Sequence, residues 1–161
     1  MQPRDPRIVE LLNAALTLEL TVTNTYFLHS RLLDSWGFPR LGKVFYDLSI
    51  DEMKDADTLI QRILMFEGHP NVQRLNSISI GENPEEILSL ALAGEVEAIS
   101  AFNAWATESR ALGDHGTASF FDGAVRDEEA HADWFEAQLQ AITAIGLPAY
   151  LAQQVDPGSV P

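Results

Sequence analysis

The chain has 161 residues, and its 24 acidic against 10 basic residues give a formal net charge of -14. Such an acidic surface repels nucleic acid and anionic membranes, so we expect neither as a partner, whereas cations are attracted. Cysteine is absent, which excludes disulfide scaffolds, thiolate metal sites and cysteine nucleophiles, and fits a cytoplasmic location. The length predicts one domain over residues 1–161.

No targeting or membrane-spanning segment is expected. The first ten residues, MQPRDPRIVE, lack an apolar run and contain two prolines, unlike a signal peptide. No stretch reaches the roughly 18 consecutive apolar residues of a membrane span.

Hydrophobic periodicity and stop signals predict four long helices. They span about residues 7–36, 41–67, 84–112 and 117–145, and glycine or proline follows each of them. A short fifth helix is predicted at about 149–155, and the final DPGSVP is expected to be frayed. The connection between helices two and three is too long for a hairpin, and its only strand-like stretch covers 77–80. The pattern therefore predicts an all-α, antiparallel four-helix bundle with one long crossover and a short C-terminal helix.

Each predicted helix carries an apolar stripe that a glutamate interrupts near its middle. Steps of three and four residues give, in chain order, Ile8, Leu12, Ala15, Glu19, Val22 and Tyr26; Phe45, Leu48, Glu52, Asp55, Leu59 and Phe66; Leu88, Leu92, Glu95, Ile99 and Phe102; and Phe121, Ala124, Glu128, His131, Phe135 and Ile142. A single such glutamate is usually an edge residue, but each unpaired buried carboxylate costs several kcal/mol. Four such glutamates, each near the middle of its helix, indicate a divalent metal site.

The spacing of the polar residues resembles a di-iron bundle, which takes one Glu from each of two helices and Glu-x-x-His from the other two. Glu19 and Glu95 are the single glutamates, and Glu128 with His131 forms one complete motif. The second motif is altered, because Asp55 stands three residues after Glu52 where His is expected. Oxygen ligands with one imidazole suit iron or manganese better than copper, and zinc remains an alternative.

Several stretches of the chain closely resemble bacterioferritins. They are Glu19-Leu20, 26–29 (YFLH), 49–54 (SIDEMK), 62–64 (RIL), Glu67-Gly68, 80–82 (IGE), 126–129 (RDEE) and 131–134 (HADW). The resemblance implies a ferritin-like homo-oligomeric shell of about 24 subunits built from two-fold dimers, with ferric mineral inside. It also implies haem b between paired subunits, with Met53 as the axial ligand from each.

The position of Met53 fits this role. It lies on a second apolar stripe of helix two, together with Tyr46, Ile50, Ile60 and Leu64, which faces away from the core and indicates an interface. By itself the stripe would make Met53 an ordinary interface residue. Lys54 is a candidate partner for a haem propionate.

Three functions are compatible with these residues. The first is Fe²⁺ oxidation by O₂ or H₂O₂ and iron storage, with Glu19, Glu52, Asp55, Glu95, Glu128 and His131 as metal ligands and Tyr26 as a hydrogen-bond or electron donor. The second is a haem-supplying subunit with a weak ferroxidase site in a mixed shell, because Asp55 is shorter than His. The third is a di-iron peroxidase or oxygenase on the same bundle. We expect His29 to be a hydrogen-bonded structural residue, and Asp47 with Asp51 are candidates for an accessory iron site.

Overall fold

The computed structural model describes residues 1–155, and within this range it contains helices and no strand. The helices are α1 (Arg7–Ser35), α2 (Pro39–Met65), α3 (Pro84–Ala111), α4 (His115–Ile145) and α5 (Leu147–Ala152). The predicted all-α bundle with a short C-terminal helix is therefore confirmed. The tail predicted to fray, residues 156–161, lies outside the described residues.

Three helices begin two residues earlier than the sequence pattern indicated. Pro39 occupies the first turn of α2, where a missing N–H is harmless. Asp114 caps α4 by accepting a hydrogen bond from the Thr117 N–H, so this helix begins at His115. α5 begins at Leu147, directly after Gly146, whose φ of +83° suits glycine.

The core divides into two apolar clusters, one on each side of the glutamate level. α1 and α4 enter the first cluster with their N-terminal halves and the second with their C-terminal halves, whereas α2 and α3 do the reverse. The first cluster is centred on Leu12, Leu59, Phe102 and Phe121, and the second on Phe45, Leu88 and Phe135. α1 and α2 are thus antiparallel, as are α3 and α4, while α2 and α3 run the same way. That arrangement requires the long crossover.

The crossover is exposed along residues 71–80 and is held to α1 by hydrogen bonds. The Asn71 N–H donates to the Asn13 side chain at 2.7 Å, and the Asn76 N–H donates to Thr21 Oγ1 at 2.9 Å. The Gly81 N–H donates to His29 Nε2 at 3.3 Å. Gly81 packs so closely that an added Cβ would lie 2.6 Å from the Ile87 side chain. A larger residue here would push the crossover away from the bundle.

By length and average composition, α3 is apolar enough to cross a membrane, although it contains no continuous apolar run of about 18 residues. The core helix of a soluble protein can have the same length and composition. Within the bundle the apolar character has a structural reason, because Ile87, Leu88 and Phe102 are core residues. The buried Glu95 lies between them along the helix.

Candidate metal centre

Four ligand-type side chains from three helices converge at the level between the two apolar clusters. Glu52, Glu95, Glu128 and His131 each offer one ligand atom, and these atoms all lie within 4.8 Å of one another. The three carboxylates are buried, and the His131 side chain is 21% exposed. Their positions follow from the stripe of each helix, because every residue lies at a core-facing position near mid-helix.

The His131 ring lies close to all three carboxylates of this group. Its Nδ1 lies 3.2 Å from Glu128 Oε2, 3.4 Å from Glu52 Oε1 and 3.8 Å from Glu95 Oε1. The three-residue spacing on α4 places His131 and Glu128 on one side of that helix. Glu52 Oε1 is buried and has no hydrogen-bond partner among residues 1–155. A buried carboxylate oxygen without a partner is the environment that a cation stabilises.

Burial and mutual repulsion perturb the carboxylates of the centre. Burial raises the pKa of Glu19 and of Glu52 well above the ordinary value, and the negative charge of Glu128 raises both further. Burial likewise raises the pKa of Glu95, which faces Glu128 and Glu52. The protein itself provides too little positive charge to ionise all these groups together. A divalent cation would hold them in the charged form.

Tyr26 connects α1 to the centre. Its hydroxyl donates a hydrogen bond to Glu95 Oε1, and its ring packs edge-on against Phe45 at 5.3 Å between centroids. Burial, together with the negative charge of Glu95, raises the pKa of Tyr26 well above its ordinary value, so the phenol remains protonated at neutral pH. Tyr26 therefore orients one carboxylate of the centre.

Glu19 and Asp55 flank the group of four without belonging to it. Glu19 is 2% exposed and lies close enough to Glu52 for the two carboxyl groups to share a hydrogen bond when one is protonated, whereas Asp55 is half-buried. Burial raises the pKa of Asp55 to about 6, and the carboxylates of Asp127, Glu128 and Asp51 contribute to the increase. Four of the six predicted ligands thus form the compact group, while Glu19 interacts with Glu52, and Asp55 with Glu128 and His131.

Asp127 was not among the residues singled out from the sequence. It is exposed and acts on Asp55 from α4. Its position directly before Glu128 was the available signal, since consecutive helical residues point about 100° apart and one can border a site that the other enters.

Arg62 of α2 does not neutralise the glutamates, because its guanidinium is engaged elsewhere. Its Nε donates to Thr117 Oγ1 at 2.8 Å, and its guanidinium pairs with Asp114 at 3.3 Å. It ties α2 to the first turn of α4 instead of entering the carboxylate group.

The remaining predicted residues are distributed over two other regions. Met53 is 50% exposed on α2, and Lys54 pairs with Asp51 at 2.7 Å. Asp47 is exposed and pairs with Lys43. His29 is buried and accepts the Gly81 hydrogen bond described above.

Comparison with known proteins identifies the family. The protein-family model described as ferritin-like domain matches residues 9–145 of the chain. The chain is 42% identical to a bacterioferritin of Brucella melitensis over 146 residues, which is 91% of each chain. The chain belongs to the bacterioferritins. A Mycolicibacterium paratuberculosis bacterioferritin is 41% identical over 94% of this chain and 95% of its own. One from Rhodobacter capsulatus is 39% identical over 88% of each. Membership of this family supports a role in iron storage.

Proposed function

We propose that the protein oxidises Fe²⁺ to Fe³⁺ at the carboxylate–histidine centre and stores the product as ferric mineral inside a hollow shell. The observation that carries the proposal is the convergence of Glu52, Glu95, Glu128 and His131, whose ligand atoms lie within 4.8 Å of one another in a buried site. Carboxylate oxygens and one imidazole are suitable ligands for Fe²⁺.

The charge of the centre is compatible with one iron ion or with two. The group of four brings three carboxylates, so one Fe²⁺ leaves a charge of about -1 when His131 is neutral. Glu19 and Asp55 add two further carboxylates, and a second Fe²⁺ again leaves about -1. Excess negative charge favours the ferric state, because Fe³⁺ is stabilised more strongly than Fe²⁺ by the same anionic ligands. The arrangement therefore favours the ferric state with one ion bound or with two.

We propose that the two iron positions are unequal. In this proposal Glu95 and His131 would hold one ion, and Glu52 and Glu128 would contribute to both positions. Glu19 and the half-buried Asp55, which are both outside the compact group, would bind the second ion. Tyr26 holds Glu95 in place on the stronger side.

The exposed face of α1 and α2 suits a haem shared by two subunits. Met53 is 50% exposed, and Phe27, Tyr46 and Leu64 of the same two helices expose 47%, 37% and 57% of their area. Such an apolar surface favours burial against a second copy, and a methionine thioether is an established axial ligand of haem iron. In this proposal Met53 of each subunit holds haem b, which would supply one-electron transfer when bound. We propose a two-fold dimer as the unit of a cytoplasmic shell that binds neither nucleic acid nor membrane.

Aerobic oxidation of Fe²⁺ by the purified homopolymer tests the proposed activity. We expect it to exceed the rate in buffer by at least about tenfold and to fall by a similar factor in Glu128→Gln, which weakens an interaction with both ions. Glu129→Gln is the matched control, because Glu129 is the next residue and is exposed. A wild-type rate no faster than buffer would contradict the proposal.

One observation favours a second candidate function. Asp55 is half-buried and outside the group of four, so a subunit with a weak second iron position could supply haem while a partner subunit oxidises iron. Wild-type homopolymer that binds haem but oxidises Fe²⁺ only when mixed with a second bacterioferritin subunit would favour this candidate. A di-iron peroxidase or oxygenase is the third possibility, and a size-exclusion mass far below that of a shell would favour it.

A further inference from the structure

The two proposed metal positions differ in the chemistry of the side chains around them. His131 supplies an imidazole to the first position, and its Nδ1 lies 3.2 Å from Glu128 Oε2. Around the second position, Glu19 is close enough to Glu52 for their carboxyl groups to share a hydrogen bond, and the charge of Asp55 acts on both. One position therefore has a nitrogen ligand, whereas the other is surrounded by carboxylate oxygens.

Glu52 lies between these two surroundings. Its Oε1 is buried, lies 3.4 Å from His131 Nδ1 and has no hydrogen-bond partner among residues 1–155. The same carboxyl group is within hydrogen-bond reach of Glu19. A cation bound to Glu52 on one side thus meets the imidazole, and a cation bound on the other side meets a second carboxylate.

The three other histidines of the chain lie within residues 1–155 and away from the carboxylate side. His29 is bonded to the crossover, about 15 Å along α1 from Glu19. His69 belongs to the crossover itself. His115 begins α4, about 20 Å along that helix from Glu128. Asp55 therefore determines whether the second position has an imidazole.

Imidazole and carboxylate ligands discriminate differently between divalent metals. An imidazole suits Fe²⁺ better than Mn²⁺, whereas carboxylate oxygens and water are the ligands that suit Mn²⁺. Asp55 is half-buried, and the exposed Asp127 acts on it from α4, so water can reach a metal at this position and complete its coordination. The position beside Asp55 should consequently prefer Fe²⁺ over Mn²⁺ less strongly than the position beside His131.

We propose that Asp55 sets the metal selectivity of the second position, so that the centre binds Fe²⁺ beside His131 and accepts Mn²⁺ beside Asp55 when both metals are present. The inference rests on the proposed two-ion centre. Mn²⁺ at this position takes the place of the second Fe²⁺ and thereby slows iron oxidation.

A crystal equilibrated anaerobically with equal concentrations of Fe²⁺ and Mn²⁺ tests the proposal. Anomalous data collected on both sides of the manganese and iron absorption edges give the occupancy of each metal at each position. We expect the ratio of Mn²⁺ to Fe²⁺ to be at least about threefold higher beside Asp55 than beside His131. Equal ratios at the two positions, or a second position that binds neither metal, would overturn the proposal.

Asp55→His tests the role of the residue itself. The variant supplies an imidazole to the second position, so the ratio of Mn²⁺ to Fe²⁺ there should fall to within about twofold of the ratio beside His131. Asp57→His is the matched control, because Asp57 is exposed on the same helix, and it should leave both ratios unchanged.

Competition in solution gives an independent measurement. The EPR signal of free Mn²⁺ shows how much Mn²⁺ the protein retains when an equal amount of Fe²⁺ is added without oxygen. Wild type and Asp57→His should retain at least about threefold more Mn²⁺ than Asp55→His. Equal retention by wild type and Asp55→His would exclude Asp55 as the source of the selectivity.

Failure of the proposed ferroxidase function gives a different result from failure of this inference. Protein that oxidises Fe²⁺ no faster than buffer, but shows unequal metal ratios, would lack the activity and keep the selectivity. Protein that oxidises Fe²⁺ rapidly and shows equal ratios would keep the activity and overturn the selectivity.

Discussion

Replacing Asp55 by His should convert an unequal iron site into a nearly symmetric one. In the wild type, four ligand-type residues lie within 4.8 Å of one another, and Asp55 stands outside this group on α2. Changes even to residues that only support metal ligands alter affinity by about 10- to 100-fold. Asp55 is shorter than His and lies outside the compact group, so we expect the second ion to bind at least about tenfold more weakly, which equals about 1.4 kcal/mol.

Anaerobic titration with Fe²⁺ measures this difference directly. We expect wild type to bind one Fe²⁺ per subunit tightly and a second at least about tenfold more weakly, and Asp55→His to bring the two affinities within about threefold. The variant should also oxidise Fe²⁺ faster. Asp57→His is the matched control, because Asp57 is exposed on the same helix. Two tight, equal sites in the wild type would refute the reasoning, as would an Asp55→His variant without gain in binding or rate.

Three further predictions follow from the same geometry. Met53→Leu should remove haem absorption while leaving the shell assembled, because it deletes the thioether but keeps the apolar surface. Tyr26→Phe should reduce the unfolding free energy of the metal-free protein by about 1–3 kcal/mol, because Glu95 loses its hydrogen bond. The melting temperature should fall accordingly. The metal-free protein should lose stability as the pH rises from about 5 to 8. Glu19, Glu52 and Glu95 have folded pKa values above their unfolded ones, so the folded state holds more protons in this window.

Each of these predictions has a control and a contradicting result. Met65→Leu, at a second exposed methionine of α2, should keep haem, and haem retained by Met53→Leu would exclude Met53 as the ligand. An unchanged melting temperature in Tyr26→Phe would show that the hydrogen bond contributes no stability. Glu95→Gln and bound Co²⁺ should each reduce the loss of stability with pH. Metal-free stability that rises with pH over this window would contradict the raised pKa values.

The fold was predictable because sequence signals were consistent along the whole chain. Stripes at helical spacing, a capping Asn83 before Pro84, and glycines after the helices indicated four long helices and their order. The bundle's connectivity followed from the length of the crossover. Helix starts were less accurate, because a short cap such as Asp114 is recognised by its bond to a backbone N–H, and that bond depends on the folded turn.

The candidate site was predictable as a set of residues but not as a geometry. Helical periodicity placed four glutamates at core-facing positions, and all four are buried. It could not show that Asp55 stays outside the compact group, because side-chain reach depends on helix separation. Nor could it assign Arg62 to Asp114 and Thr117, since these contacts depend on how α2 and α4 approach one another.

The central claim is that iron binds at the buried, core-facing glutamates. A crystal soaked anaerobically in Fe²⁺ tests it most directly. Anomalous scattering at the iron edge would locate the ions. We predict one strong peak among Glu52, Glu95, Glu128 and His131, with a weaker peak on the side of Glu19 and Asp55. The absence of a peak at this level of the bundle, with iron bound only elsewhere, would contradict the account.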